Sequence, residues 1–457
     1  MTSTLAHTTT GFSQEAFDAF LAARDEPAWL SDMRKSDWTR FLDLPMPSLR
    51  EEEWMRTDIR LFKFDRFGLP VAPQSVPADI TKGALNNGDG HTDMPRTLLA
   101  DGVNLGGRVS SLDSHPRGCE LAPKWADQGV LFGSLDALVA EHGQRLRPYF
   151  EQRIVDPAHD KFSALASACW CGGTLLYVPK GVCVDQPFHS FSALSAADGG
   201  GGIDLGRTLV ILEEGAEATL LSETASTCES GTGLHCGCTE LLVGKEARLR
   251  YVSLQNWNTK VWHFAHQRAV VGQQGKLQWT IGALGSRLAK VNQRVALTEQ
   301  DAEAQVNGVM FTQGRQHLCY NTHQHHLAPH CHSDLLYKAA LQDHSRSVWR
   351  GMIQVDPPAQ RTNAYQRNDN LMLSHTARAD SIPGLEIEAD DVRCTHGSTS
   401  GRVDNSLIFY AMSRGYTRQE AIRMIVAGFF QQVFDRISIE SVRDALGTAI
   451  GQRVREL

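Results

Sequence analysis

Cys394 and His396 lie two positions apart in the stretch DDVRCTHGSTSGR, residues 390–402, between an acidic pair and a run of small polar residues. Thiolate and imidazole groups both bind iron, zinc and copper, so the two residues are candidate ligands of a metal ion or a cluster. Each also has a structural alternative. Cysteine is a common small core residue. A buried imidazole can be satisfied by a hydrogen-bond partner instead of a metal ion.

A second group of ligand-type residues occupies HLCYNTHQHHLAPHCHSD, residues 317–334, which holds six histidines and two cysteines. His326 and His330 are the weaker candidate metal ligands within it. Pro329 interrupts the strand pattern there, and the spacing matches no closed four-ligand site. An exposed or hydrogen-bonded histidine cluster is the competing interpretation, and a metal-dependent enzyme is the rival function that this cluster would support.

The composition of the 457-residue chain argues against several functions. Apolar residues make up 42% and charged residues 21%, the formal net charge is -7, and no long run of Lys or Arg is present. Nucleic acid and membranes are therefore not expected as partners. The N-terminus has neither the basic start nor the apolar run of a secretion signal. We therefore expect a cytoplasmic protein whose ten cysteines are thiols or ligands rather than disulfides.

Signatures of common enzyme sites are missing from the sequence. It has no GxxxxGKS or GxxxxGKT phosphate loop, no GxSxG nucleophile elbow and no HExxH zinc motif. We therefore predict that the chain is not an enzyme and does not hydrolyse ATP itself.

Between residues 161 and 400 apolar residues alternate as in strands, and a loose repeat of strand, tight turn and strand is visible. Six second strands align: GAEATL (215–220), EARLRY (246–251), QGKLQW (274–279), DAEAQV (301–306), SRSVWR (345–350) and DVRCTH (391–396). Their fourth places are small or apolar and lie 27 to 46 residues apart, and the sixth place holds both Arg350 and His396. The pattern predicts a mainly β protein, a β-solenoid whose coils carry insertions, with a sandwich of short strands as the competitor.

Helical patterns precede this region. Apolar residues recur every three or four positions within residues 12–60, where Pro47 and Ser48 mark a predicted helix start. The same period returns in LDALVAEHGQRLRPYFEQ, residues 135–152. A Pro-, Gly- and Asn-rich stretch between these segments predicts an irregular connector.

Helical periodicity also follows the repeat. One predicted helix ends at Gly415, Thr417 caps a second with Glu420 in a capping box, and a last helix covers about 438–455. We therefore divide the chain into an N-terminal helical region with its connector (1–160), a β core (161–400) and a C-terminal helical region (401–457).

The run EIEADDVRCTHGSTSG resembles the SufB/SufD family of iron–sulfur cluster assembly scaffolds, and within that family the SufD type. APHCHSDLLYK and KAALQDHSRSVWRGMIQV before it and LIFYAMSRGY after it share the resemblance, which extends from about residue 165 onward. REEEWMRTDIR is similar to the family's N-terminal helical motif. The resemblance implies a right-handed parallel β-helix core flanked by N-terminal and C-terminal helical regions.

The resemblance also implies a function and partners. It indicates a non-catalytic subunit that pairs with a SufB-like subunit and holds a SufC-like ATPase through its C-terminal helical region, and that forms a possible homodimer when isolated. His396 and Cys394 match the histidine and the cysteine of a family motif at the subunit interface. Iron or a nascent cluster is held there transiently, and no tightly bound cofactor is implied.

Two positions bear on the type within the family. SufB-like chains carry a cysteine where the stretch RNDNLML has Asn368, and they tend to carry Glu where this chain has Gly397. Both differences favour the SufD type, because a primary scaffold needs thiolates to hold iron and sulfide. A SufB-like or self-pairing scaffold is the alternative, and a role for Cys236 and Cys238 in sulfur chemistry is left open.

Overall fold

The computed structural model describes residues 11–70, 94–195, 201–229 and 231–454. Within these residues the protein is mainly β: a parallel β-solenoid of about seven turns, flanked by N-terminal and C-terminal helices. The predicted fold class is therefore confirmed. Strands of successive coils pair in parallel, whereas the competing sandwich would be built from antiparallel strands.

The described strands form two sheets, which are the two walls of the solenoid. Sheet A contains, in spatial order, β2 (His115–Leu121), β1 (Gly107–Leu112), β5 (Phe188–Leu194), β8 (Glu217–Ser226), β10 (Arg248–Asn256), β12 (Lys276–Ala283), β14 (Glu303–Thr312), β16 (His332–Leu341), β18 (Asn363–Met372) and β20 (Arg393–Arg402). Sheet B contains β19 (Arg378–Ile387), β17 (Arg346–Val355), β15 (His317–His326), β13 (Leu288–Leu297), β11 (Val261–Val271), β9 (Gly233–Val243), β7 (Arg207–Leu212), β4 (Gly173–Val178) and β3 (Leu131–Ser134), with β6 (Gly202–Asp204) beside β9.

The strand register confirms most of the predicted repeat and corrects one part of it. One column of sheet A contains, as predicted, Ala218, Leu249, Leu277, Ala304 and Cys394. The segment SRSVWR was wrongly included, because it forms β17 of sheet B, and Ser333 and Ala364 complete the column. Its members are then 27 to 31 residues apart, so the coils are nearly uniform and lack the expected insertions. Arg350 therefore does not share the column of His396, and it pairs with Glu52 at 2.6 Å.

Side chains between the two sheets form the main core. Leu249, Leu277 and Val291 are examples from the two walls, and all are almost completely buried. Tyr251 and Trp279, from successive coils, meet edge to face with their ring centroids 5.7 Å apart. Because alternate side chains of a strand point to opposite faces, each sheet also has an outer face that other elements cover.

The described helices that precede the uniform coils are α1 (Gln14–Ala22), α2 (Ala28–Asp43), α3 (Pro123–Ala126), α4 (Leu135–Glu151) and α5 (Lys161–Ala168), with a short 3-10 helix at Phe64–Arg66. An aromatic cluster packs α1, α2 and α5 on the outer face of sheet B. Within it Phe17 stacks on Trp38 at 4.4 Å, and Phe162 stacks on Phe264 of β11 at 3.7 Å. α4 covers β4 and β7 of the same sheet through a second apolar cluster.

The predicted helix that starts at Pro47 and Ser48 is absent, since residues 44–62 form turns and irregular backbone. Trp54 and Phe62 from this segment are buried, and both rings contact Phe162 of α5, with centroids 5.6 and 5.7 Å away. Tertiary packing of these rings therefore overrides the helical period. The predicted helix at residues 135–152 is confirmed as α4.

Three helices follow the solenoid: α6 (Asn405–Ser413), α7 (Arg418–Phe434) and α8 (Glu440–Arg453). All three were predicted, as were their boundaries: Gly415 follows α6 with a φ of +97°, and Thr417 caps α7 in a capping box with Glu420. The helices pack on the outer face of sheet A, where Phe430 belongs to one apolar cluster with Phe311 of β14. The two outer faces of the solenoid are thus covered by helices from opposite ends of the chain.

Helices and solenoid strands interleave along the sequence. The β core was expected to start at residue 161. However, β1, at residues 107–112, already pairs in parallel with β5 and so belongs to the solenoid. The helix α5, in contrast, lies after residue 160. β20 ends at Arg402 and α6 begins at Asn405. Residues 71–93 of the expected connector lie outside the described residues. The molecule is therefore better divided by the faces and ends of the solenoid than by stretches of sequence.

No disulfide joins the described cysteines, and six of the ten are buried, which supports the interpretation of most of them as small core residues. No described helix combines the length and the apolar composition needed to cross a lipid bilayer.

Candidate functional site

The C-terminal end of the solenoid is uncapped. β19 is the last strand of sheet B and β20 the last strand of sheet A, and no described strand pairs with the outer edge of either one. Arg393 donates its N–H to the carbonyl of Thr362 on the preceding coil, at 2.8 Å. Because successive residues of a strand direct their amides to opposite sides, those of Cys394, His396 and Ser398 face the free edge. A further strand can therefore join here.

His396 and Cys394 lie on the inward-facing columns of β20. His396 pairs in register with Gln366, and Cys394 pairs with Ala364. From β8 onward every earlier residue in the His396 column is buried, but His396 is exposed because no coil follows it. Cys394 is half-buried and packs with Ala364 in a small apolar cluster. This burial raises the pKa of the Cys394 thiol.

The chemistry available at this end is that of one accessible imidazole beside a protonated thiol. The imidazole of His396 can bind a ferrous ion directly, whereas Cys394 must first lose its proton. Two ligands do not complete the coordination shell of a metal ion. Any ion held at this end therefore takes its remaining ligands from solvent or from another molecule.

The opposite wall of the end is apolar. Leu385 and Ile387 of β19 are 37% and 40% exposed, although Ile353 and Val355, which precede them in the same columns, are fully buried. Ser398 of β20 reaches across the end and donates its hydroxyl to that of Ser381 on β19, at 2.8 Å. The terminal coil therefore offers an apolar strip, a polar strip and two free strand edges on one surface.

The strand pattern of LEIEAD, residues 385–390, predicted part of β19, but the sequence interpretation did not connect this strand with the surface. The segment SIPGLEI carries apolar residues at two-residue spacing, as a strand does, but Pro383 obscures the pattern. Proline lacks the amide that a central strand needs and is found on edge strands. Pro383 was therefore itself the signal that this strand ends a sheet.

The histidines of residues 317–332 are divided between the inside and the outside of the solenoid. His326 is buried, its Nε2 lies 2.8 Å from the hydroxyl of Ser333, and burial lowers its pKa to about 3. His330 lies in an exposed turn with a φ of +62°. Among the described residues, no group of three ligand-type side chains within reach of one ion includes either of them. The rival metal-dependent enzyme therefore has no assembled ligand set in this segment.

Cys236 and Cys238 lie in β9 beneath α5, on the covered face of sheet B. Both are buried, and the thiol of Cys236 is 3.4 Å from the carbonyl oxygen of Phe162. Burial raises the pKa of both thiols, that of Cys238 to about 12. Protonated thiols without solvent access are inert, so these two cysteines act as small core residues.

These features define a class of protein: a helix-flanked parallel β-solenoid that ends in an uncapped coil with an exposed histidine. Residues 194–429 match the family model "SUF system FeS cluster assembly, SufBD core domain", and residues 118–189 match the model "SufBD protein N-terminal region". The core model alone covers more than half of the chain. The chain belongs to the SufBD family of iron–sulfur cluster assembly proteins.

Curated relatives carry the same family name. An iron–sulfur cluster assembly SufBD family protein of Staphylococcus saprophyticus is 27% identical over 425 residues, which cover 91% of this chain and 88% of the relative. Relatives from Staphylococcus epidermidis, 26% identical over 438 residues (94% and 90% covered), and from Staphylococcus aureus, 26% identical over 425 residues (91% and 88% covered), have the same description. All three names state the family without a SufB or SufD type.

Proposed function

We propose that this protein is a non-catalytic, cytoplasmic scaffold subunit of an iron–sulfur cluster assembly complex, and that it pairs with a SufB-like subunit through the open end of its solenoid. The observation that carries the proposal is the uncapped terminal coil, with its two free strand edges and its exposed Leu385 and Ile387. Proteins usually shorten, cover or charge such edges, because they pair readily with other chains. Iron or a nascent cluster is the transient cargo of the junction.

The SufD type fits the side chains next to this end. Asn368, at the position where a SufB-like chain carries a cysteine, is fully buried in β18. Its amide donates to the carbonyl of Tyr337 at 3.4 Å and accepts from Asn370 at 2.8 Å. Asn368 thus holds interior hydrogen bonds and supplies no thiolate. In this proposal the SufB-like partner contributes the sulfur ligands, and this chain contributes His396.

An imidazole suits a cluster that has to leave its assembly site. Neutral histidine binds ferrous iron through a single nitrogen and forms a weaker bond than a thiolate does. His396 is exposed on the terminal strand, so it is available to an ion held between two subunits. Cys394, half-buried and protonated, has an auxiliary role.

The C-terminal helices are the proposed docking site of a SufC-like ATPase. Among the residues of α6 only Ile408 is buried. Large exposed apolar side chains follow one another on and after this helix: Leu407, Phe409, Tyr410, Met412, Tyr416 and Met424. Exposed apolar groups of this kind mark protein–protein contacts. Because α7 packs on β14 and β16, movement of a bound ATPase would reach the solenoid wall directly.

Co-purification with SufB-like and SufC-like partners tests the proposal. We expect a stable complex of all three chains, from which Phe409→Asp removes the ATPase and leaves the SufB-like subunit bound. The isolated chain is expected to form a homodimer through the same open end. If the chain binds neither partner, the proposal is wrong. A SufB-like, self-pairing scaffold would instead bind a cluster by itself during anaerobic reconstitution, which absorption spectroscopy detects.

His396→Ala tests the role of the histidine. We expect normal folding and complex assembly but loss of cluster maturation, measured as the activity of an iron–sulfur enzyme in cells that depend on this complex. Cys394→Ser should have a milder effect. Normal maturation with the His396→Ala chain would assign this residue a structural role only.

A further inference from the structure

A cluster of ligand-type side chains lies where α5 meets β11, on the covered face of sheet B and away from the terminal coil. His159 and Asp160 immediately precede α5, and His266 comes from β11. One ligand atom from each of the three lies within 4.8 Å of the other two. Nε2 of His266 is 3.1 Å from Oδ1 of Asp160, and the two imidazole rings have their centroids 5.2 Å apart. Ligands of one ion lie at separations of this size.

The hydrogen bonds in the cluster do not satisfy its buried atoms. Asp160 is 7% exposed and His266 is 3% exposed. Oδ1 of Asp160 caps α5 by accepting from the amide of Ser163 at 2.8 Å. Oδ2 of Asp160 and Nδ1 of His266 are buried and make no hydrogen bond. Helix capping needs only one carboxylate oxygen, so capping does not account for the second one, whose burial without a partner is unfavourable.

One ring nitrogen of His159 lies between a hydrogen-bond acceptor and a hydrogen-bond donor. Its Nε2 lies 3.1 Å from a carboxylate oxygen of Glu53 and 3.2 Å from the amide nitrogen of Asn292. One ring nitrogen either carries a proton or accepts one, so it cannot satisfy both neighbours at once. The side chain of His159 is 29% exposed. His159 is therefore the solvent-exposed member of the cluster.

The cluster holds one carboxylate and two imidazoles, and the hydrogen bond to Glu53 raises the pKa of His159. Burial disfavours the ionised form of Asp160, but the neighbouring His266 and His159 and the amide of Ser163 more than offset it, and the pKa is lowered to about 2. Burial lowers the pKa of His266, which favours its neutral, metal-binding form. Arg268 on the same strand donates instead to the carbonyl oxygens of Gln267 and Asn292, at 3.1 and 2.8 Å.

The geometry points to a binding site for a divalent transition-metal ion, such as Zn²⁺ or Fe²⁺, formed by His159, Asp160 and His266. Two imidazoles and a carboxylate are a ligand set that these ions accept. The ion joins the start of α5 and the segment before it to strand β11, and so fastens the N-terminal helices to the solenoid. The site is independent of the proposed function and of His396.

Titration of the chelator-treated full chain with Co²⁺ tests the site, because bound Co²⁺ has visible absorption bands that report its ligands. We expect saturation at one equivalent, displacement of Co²⁺ by Zn²⁺, and a higher thermal midpoint in the presence of either ion. Asp160→Asn and His266→Gln should each weaken binding at least tenfold. Asparagine caps helices about as well as aspartate, so the first variant retains the fold. His159→Gln, at a partly exposed position, provides a third test.

Asp204→Asn is the matched control. Asp204 is buried and lies 2.7 Å from Nδ1 of the partly buried His235, but it belongs to no group of three ligands among the described residues. Its substitution should leave Co²⁺ binding unchanged. The assignment is overturned if the folded wild-type chain shows no saturable binding, if the Asp160, His266 and His159 variants bind as the wild type does, or if Asp204→Asn weakens binding equally while its circular dichroism is unchanged.

Discussion

The two ends of the solenoid treat their strand edges in different ways. At the N-terminal end the sheets begin with antiparallel strands, β2 in sheet A and the four-residue β3 in sheet B, and α4 packs over the sheet that β3 begins. At the C-terminal end β19 and β20 have ten residues each, run parallel to their neighbours, and are uncovered on one edge. The coils are alike along the solenoid, but within the described residues only the N-terminal end has its strand edges covered.

Side-chain polarity follows this difference. In one column of sheet A, Leu335 is succeeded by Gln366 and then by His396, and exposure appears only at the last position. Gln366 is fully buried and donates to the carbonyl of Gly384 at 2.9 Å. This column therefore becomes polar one coil before the end, while Ile353, Val355 and Ala364 keep another part of the same coil apolar. Replacing aliphatic side chains by hydrogen-bonding ones along the column reduces the apolar area buried on folding. Such a column is suited to a surface that contacts a polar partner.

The largest expected effect of a substitution is on the outer face of sheet B that the N-terminal helices cover. Phe162→Ala removes a fully buried ring that stacks on Phe264 and contacts Trp54. We expect a loss of about 3–5 kcal/mol in the free energy of unfolding. Urea denaturation measures it, with His396→Ala, at the exposed end, as a control that should stay within about 0.5 kcal/mol of wild type. Similar losses for the two variants would remove the energetic difference between the covered face and the open end.

An effect of about 1.4 kcal/mol for each pH unit is expected from acid in the last covered coils. Burial lowers the pKa of His326 from 6.5 to about 3, so the unfolded chain binds the proton first. The contribution of His326 is fully present above pH 6.5 and is lost as the pH falls from 6.5 toward 3, by about 1.4 kcal/mol per pH unit. His326→Gln should reduce the slope of unfolding free energy against pH by about that amount between about pH 6 and 4. An unchanged slope would contradict this account of His326.

The smallest effect on stability is expected at the open end, together with a large effect on assembly. Leu385→Lys combined with Ile387→Lys places two charges on partly exposed positions of β19. The free energy of unfolding should change by no more than about 0.5 kcal/mol per substitution. Light scattering should show that the homodimer is lost, and co-purification should show loss of the SufB-like partner with the ATPase retained. Undisturbed pairing would mean that the partner binds elsewhere.

Local patterns predicted the elements whose stability is local. The capping box of Thr417 and Glu420, the end of α6 at Gly415 and the helix at residues 135–152 were all correct. The helix expected from Pro47 was not, because its apolar residues pack on α5 instead of forming one helical face. The segment SRSVWR was assigned to the wrong sheet because strands of both sheets alternate with the same two-residue period, so periodicity alone does not distinguish them.

The sequence by itself determined that the chain is a mainly β solenoid between helices, because period-two alternation, turn residues and helix caps act over a few residues. It also marked Cys394 and His396 as a pair. Only the tertiary structure decided which of them is accessible, since Cys394 packs in an apolar cluster with Ala364 and no further coil covers His396. It alone also brought His266 to His159 and Asp160, because contacts between residues so distant in sequence arise only when α5 packs on β11.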